Sequence, residues 1–150
     1  MTDSSGYRDL MRLLHRAALL SDRVGERMFQ RRIGAGRAVY LLLRTIDETA
    51  GGVVSQQSLA GRLGLTKGAV SRHAAAAQHE GWLTFAASPV SRRENALVLT
   101  PEGRELVERG RAVQAEYERH TSGQLSEAEV AAAVKVLSVI CHDLEEEEQR

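Results

Sequence analysis

The 150-residue sequence predicts a mainly α-helical fold with one small β-hairpin. Three observations carry that expectation. Apolar residues recur at helical spacing in segments that cover most of the chain. Hydrophobic residues make up 43% but aromatics only 4%, so the core has to be built from Leu, Val and Ala, a composition that favours helices. Two short β-type runs, 82–87 and 95–99, flank a polar loop.

The elements follow in order. Residues 7–31 read as one long amphipathic helix, with Leu10, Leu13, Leu14, Ala17, Leu20, Val24 and Met28 on one side. Arg8, Arg12, Arg16, Arg23, Arg27 and Arg31 form a neighbouring stripe. Gly34 and Gly36 break that helix. A second helix, about 36–48, carries Val39, Tyr40, Leu42, Leu43 and Ile46, and Gly51-Gly52 closes the connection after it. Ser55 is a natural N-cap for a short helix over 56–63, which Gly64 stops. Thr66 caps another, reaching about His79, with Gly81 suited to the left-handed residue that follows a helix. After the two strands, Thr100-Pro101-Glu102 opens a helix to about Arg119, with proline where its missing N–H does no harm. Thr121 to Gly123 form a break. Ser126 starts a last helix whose Val130, Val134, Leu137, Cys141 and Leu144 make an apolar seam.

Charge is uneven although the formal net charge is zero. Residues 55–98 hold Arg62, Lys67, Arg72, Arg92 and Arg93 against Glu80 and Glu94. Residues 123–150 hold Lys135 and Arg150 against Glu127, Glu129, Asp143 and Glu145 to Glu148. A basic centre with an acidic end suits a protein that shows one surface to a polyanion. One cysteine, Cys141, excludes an intrachain disulfide and points to a reducing compartment. The N-terminus has no signal-peptide pattern, and every apolar stretch is broken by charge before membrane-spanning length. The expected location is cytoplasmic, with no membrane partner.

Two short helices joined by a turn, followed by a hairpin with a basic tip, make a winged helix-turn-helix. The DNA-binding lobe is expected over 37–120. Helices in 1–36 and 121–150 hold more apolar surface than that lobe can cover, and are expected to form a homodimer interface. In SQQSLAGRLGLTKGAVSRHAAAAQHEGWL, Leu59, Leu63, Val70, Ala74 and Ala77 would face inward. Lys67, Gly68, Ser71 and Arg72 would then occupy the outer face and N-terminal end of the second helix, where a recognition helix meets base edges of double-stranded DNA. Arg72 suits guanine or phosphate, and Lys67 and Ser71 suit phosphate or base. Ser55, Gln56 and Thr66 lie at the two helix starts that approach the backbone. Arg92 and Arg93 sit at the wing tip, within reach of the minor groove.

Over Ser55 to Val107 the sequence resembles the MarR (multiple antibiotic resistance regulator) transcription factors. The likeness is carried by SLAGRLGLTKGAVSRHAAAAQHEGWL, by SRRENALVLTPEGRELV and by the spacing between them. It implies a homodimer joined through its terminal helices, pseudo-palindromic DNA, and often repression relieved by a small ligand. Two departures stand out. Ser91 takes the place of an acidic residue expected two positions before Arg93. His73 and the run Ala74 to Ala77 replace larger aliphatic residues.

The resemblance further implies aromatic or carboxylate effectors at the junction of the dimer helices and the DNA-binding lobe. Arg12 and Arg16, one turn apart beside Leu13 and Ala17, suit such an anion, with Tyr40 as a candidate wall. The plainer reading has the arginines solvated, and Tyr40 and Trp82 packed in the core. Cys141 on the apolar seam reads as a small buried hydrophobe, with a redox switch as the alternative. The five histidines show no ligand pair of useful spacing, so no metal and no cofactor are expected. No phosphate loop or nucleophile elbow argues for an enzyme. The alternative functions are a winged helix used for protein contacts, and an activator without an effector.

Overall fold

A computed structural model describes residues 4–87 and 95–150. Arg92 and Arg93 of the expected wing tip lie outside the described residues. The elements are α1 (Ser4–Ile33), α2 (Arg37–Asp47), a 3-10 turn (Ala50–Gly52), β1 (Val54–Ser55), α3 (Gln56–Leu63), α4 (Lys67–His79), β2 (Leu83–Ala87), β3 (Asn95–Leu99), α5 (Pro101–Ser122) and α6 (Glu127–Glu148). The fold is mostly helical with a small antiparallel sheet, a winged helix-turn-helix. The sheet has three strands in the order β1-β3-β2, one more than the hairpin expected from the sequence. Val54 pairs with Leu97, and Leu83 and Phe85 face Leu99 and Leu97 from the other side.

The chain divides into two compact units, Met1–Val113 and Gln114–Arg150. In the first, one core gathers Phe29 and Ile33 of α1, Tyr40, Leu42, Leu43 and Ile46 of α2, Leu59, Val70, Ala74, Ala77, Leu83, Leu97, Leu99, Leu106, Val107 and Val113. Gly34, at φ 76°, ends α1, and its N–H donates to the Gln30 carbonyl at 3.1 Å. The N-terminus of α2 has no side-chain cap of its own. Glu26 of α1 supplies one from outside: its carboxylate accepts from the Ala38 N–H at 3.5 Å. Gly36 leaves room for that carboxylate, since a Cβ there would sit 2.6 Å from the Glu26 carboxyl carbon.

Tyr40 is fully buried, its ring 4.6 Å from that of Phe29 and pressed against Gly110. It is a core residue, as the plainer reading had it. Burial pushes its hydroxyl pKa up, although Arg44 donates to the oxygen and pulls the other way. Arg44 also donates to Glu48 at 2.7 Å. Arg111 of α5 donates to Asp47 at 2.8 Å and pairs with Glu108, tying α5 to the end of α2. Hydrogen bonds to Glu48 and to Asp47 raise the pKa of Arg44 and Arg111 respectively, so both stay charged at any working pH.

In the second unit, Ser126 and Glu129 form a reciprocal capping box at the start of α6. The Ser126 hydroxyl and N–H donate to the Glu129 carboxylate at 2.7 and 2.8 Å, and hold its pKa below the ordinary 4.5. Val130, Val134, Leu137 and Leu144 of the apolar seam are exposed in the single chain, as is Cys141. The thiol therefore is not buried within one chain as the sequence suggested. Ile140, one position off the seam, is the residue of α6 that the chain itself buries.

Candidate nucleic-acid interface

The helix-turn-helix is α3 and α4. Ser55 caps α3, accepting from the Ser58 N–H at 3.1 Å. Gly64 stops it at φ 62°, a left-handed conformation that favours glycine. The turn is held by the Leu65 N–H, which donates to the Ala60 carbonyl at 3.0 Å. Thr66 then caps α4, accepting from the Ala69 N–H at 3.2 Å. The N-terminus of α4 is thus aimed by two caps and a glycine, all local in sequence.

Burial fixes which way α4 faces. Val70, Ala74 and Ala77 are fully buried, which leaves Lys67, Gly68, Ser71 and Arg72 exposed together on the opposite side. Lys67 and Arg72 make no hydrogen bond or ion pair with any described residue. The first turn of α4 has no acidic residue, and its first residue is a lysine. A cation at a helix N-terminus opposes the macrodipole, so nothing within the chain favours it there. The first turns of α5 and α6 carry Glu102 and the pair Glu127 and Glu129, whereas α2, like α4, starts on a cation with no acid in its first turn. Exposed backbone N–H groups, a helix dipole and two unengaged cations together make an anion-attracting end.

Gly68 adds a second pointer. A Cβ there would meet only the end of Arg72, at 3.9 Å. Packing does not require glycine at this position, and in a helix it costs about 1 kcal/mol relative to alanine. What glycine does provide is close approach of the outer face to a surface.

Gln56 starts α3 half-buried beside its cap, and Thr66 is exposed. β2 and β3 run antiparallel as far as Ala87 and Asn95, so the described strands lead into the wing. The structure also shows a contact the sequence did not suggest. Arg62 donates to the Thr49 hydroxyl at 2.6 Å and is thereby held against the connection between α2 and β1. The partner lies 13 residues away and follows no helical spacing, so no local pattern signals it. Of the expected effector residues, Arg12 pairs with Asp9 at 3.3 Å and Arg16 is exposed, while Tyr40 is sealed in the core and lines no open wall. Among the described residues no group of His, Cys, Asp and Glu is placed to hold a metal ion, and no helix is long and apolar enough to cross a membrane.

The MarR family model matches residues 33–94, from the end of α1 into the wing. The match covers 62 of the 150 residues. No curated protein sequence matches the chain. Among solved structures the chain is similar to Sco3205 of Streptomyces coelicolor, a MarR family transcriptional regulator in complex with DNA, at 20% identity and a TM-score of 0.85, over 96% of this chain and 91% of that one. It is similar to a MarR/EmrR family transcriptional regulator of Acinetobacter sp. ADP1, at 20% identity and a TM-score of 0.83, over 93% and 96%. It is also similar to a mutant MarR of E. coli complexed with operator DNA, at 20% identity and a TM-score of 0.73, over 93% and 99%. The likeness in fold to these structures thus extends over nearly the whole chain, beyond the segment that the family model matches.

Proposed function

We propose that the chain is a DNA-binding transcription regulator that acts as a homodimer on an inverted repeat, and that it is a repressor released by a small carboxylate effector. The observation that carries the DNA-binding reading is the outer face of α4. It presents Lys67, Gly68, Ser71 and Arg72 together and unengaged at a helix N-terminus. The DNA complexes of the S. coelicolor and E. coli relatives support it. Arg72 reads a base edge, while Lys67, Ser71, Thr66, Ser55 and Gln56 hold phosphates or flanking bases. Arg92 and Arg93 reach from the wing to the minor groove.

Dimerisation is supported by the exposed seam of α6, where Val134 and Leu144 are 57% and 60% exposed in the single chain. Apolar side chains at helical spacing and of that exposure need a partner surface. The effector reading keeps Arg12 and Arg16 as candidate carboxylate contacts; it is Tyr40's burial that withdraws the open wall. A cytoplasmic, non-enzymatic role goes with the whole reading.

Selection of bound duplexes from a random pool, with affinity measured across salt, tests the proposal. The expected result is an inverted repeat with half-sites about one helical turn apart. Affinity should fall by orders of magnitude between ~50 and ~200 mM salt. A pool that yields no consensus, with affinity indifferent to salt, sinks it.

A further inference from the structure

We propose that a clasp between α1 and α2 sets the half-site spacing that the dimer accepts, with Asp22, Glu26, Gly36 and Arg37 as its positioning residues. This rests on the homodimeric, inverted-repeat reading above. In that reading α1 has two faces with different tasks. The exposed stripe of Leu13, Leu20 and Val24 meets the partner, and the other face meets the lobe that carries α4. At about 100° per residue, Asp22, Glu26, Phe29 and Ile33 all lie opposite that stripe.

The apolar attachment of α1 to the lobe is confined to its C-terminal end. Phe29 and Ile33 are buried in the core, and Met28 packs against it. Among the described residues of α1 before Phe29, only Gly25 is buried, and it has no side chain to pack. A hollow of about 670 Å³ takes the place of packed side chains there, with Asp22, Arg23 and Glu26 on one side and Leu41, Leu63 and Leu65 on the other. An apolar pivot at one end leaves a helix free to tilt.

Polar contacts supply the second attachment. Arg37 donates to Asp22 at 2.9 Å. Its stem crosses Gly25, where a Cβ would lie 3.1 Å from the Arg37 Nε, with the Cδ nearer still. In return, the Glu26 carboxylate lies over Gly36 and accepts from the Ala38 N–H. The contact is reciprocal: Gly25-Glu26 on α1 and Gly36-Arg37 at the start of α2 each offer a bare backbone and a charged arm. Neither glycine has a positive φ, so backbone conformation does not call for them. Close approach of the opposing side chain does. Glu26 also brings negative charge to the N-terminus of α2, which has no acid in its own first turn.

The clasp lies on the lever between the dimer stripe and α4. With an arm of about 30 Å, the diameter of a small domain, a tilt of roughly 6–7° carries a recognition helix about 3.4 Å, the rise of one base pair. Held at two places, α1 and the lobe keep one angle and the dimer keeps one spacing. Held by Phe29 and Ile33 alone, they accept neighbouring spacings. Asp22 is 77% exposed, so its pair with Arg37 adds little to stability and the fold survives its loss.

The test measures affinity by anisotropy on the selected duplex and on two variants with the spacer between half-sites one base pair longer or shorter. The full-length parent is compared with Glu26→Ala, Gly36→Ala and the two combined, and with Asp9→Ala as a control for a carboxylate lost elsewhere on α1. Gly36→Ala keeps Glu26 but puts a methyl where its carboxylate sits. The parent and Asp9→Ala should prefer the selected spacing by at least about tenfold. Glu26→Ala and Gly36→Ala should each cut that preference to about threefold, and the combination no further, because both delete the same contact. A purely structural role would weaken binding at all three spacings alike. That result, or a preference unchanged from the parent, overturns the clasp and leaves the dimeric reading standing. A parent that binds all three spacings equally overturns the inverted-repeat reading, and the clasp with it.

Discussion

Replacing Gly103 by alanine should destabilise the winged helix although alanine is the better helix former. Gly103 lies in the first turn of α5, where that helix crosses the start of β2. A Cβ built on it lies 2.9 Å from the Trp82 carbonyl carbon and 3.3 Å from its Cα, with the carbonyl oxygen nearer still. The obstacle is backbone, and it is pinned. The Trp82 oxygen accepts from the Thr100 N–H at 3.1 Å, and the Trp82 N–H donates to the Ala77 carbonyl at 2.9 Å. The Thr100 hydroxyl donates to the Gly81 carbonyl at 2.6 Å and accepts from the Gly103 N–H at 3.0 Å. Relief therefore requires α5 to lift away from Trp82, stretching two of these bonds. Their net worth is about 1 kcal/mol each. Forcing a methyl into a packed site adds roughly 1–3 kcal/mol. Helix propensity returns about 1 kcal/mol. The balance is a loss of roughly 2–4 kcal/mol, or a Tm lowered by about 5–15 °C for a domain of this size. Thermal and urea unfolding by circular dichroism measures it. Gly61→Ala is the comparison, because its Cβ would meet nothing within 4 Å, and it should be neutral or up to ~1 kcal/mol more stable. If Gly103→Ala melts at or above the parent temperature, the reasoning from close approach is wrong.

Four further outcomes are expected. Arg72→Ala should weaken specific DNA binding by ~1–3 kcal/mol and relax preference at one base per half-site, read by anisotropy on single-base variants of the selected duplex. Leu137→Glu should convert dimer to monomer in sedimentation at micromolar concentration and abolish operator binding; a monomeric parent would refute the premise. Arg111→Ala should cost about 1–2 kcal/mol in urea unfolding, because Asp47, only 24% exposed, loses its guanidinium partner. The capping box makes α6 acid-sensitive: the Glu129 pKa is lowered in the folded chain, so its contribution is complete above the ordinary value of 4.5 and is lost as pH falls from there through the lowered value. The parent should shed helicity in that window, whereas Glu129→Gln should show less of that change.

Much of the fold is legible in the sequence because its signals are local. Ser55, Thr66 and Ser126 cap the helices expected of them, Gly64 stops α3 as expected, and Gly81 takes the expected left-handed conformation. Each signal involves residues within a few positions of one another. β1 is not legible in this way, because a two-residue strand has no period to read; it exists through pairing with Leu97 and Ala96, far along the chain. The bond between Arg111 and Asp47 spans 64 residues, and the cap that Glu26 gives α2 spans 12. Neither leaves a trace in spacing.

The same division separates the two candidate sites. The proposed DNA-facing surface is a property of one helix: once Val70, Ala74 and Ala77 are buried, the directions of Lys67, Ser71 and Arg72 are fixed by helical geometry. Periodicity alone is enough to orient it. A pocket is a property of several elements at once. Tyr40 reads as available from sequence because its chain neighbours do not include Phe29 or Gly110, the groups that enclose it. The clasp at Glu26 has the same character, because nothing nearby in sequence shows that Gly36 and Ala38 arrive beside that carboxylate. What distinguishes Glu26 from Asp9 is therefore not charge or exposure. Asp9 meets Arg12 within one turn of its own helix, whereas the bend at Gly34 folds α2 back onto α1 and gives Glu26 a second helix to hold.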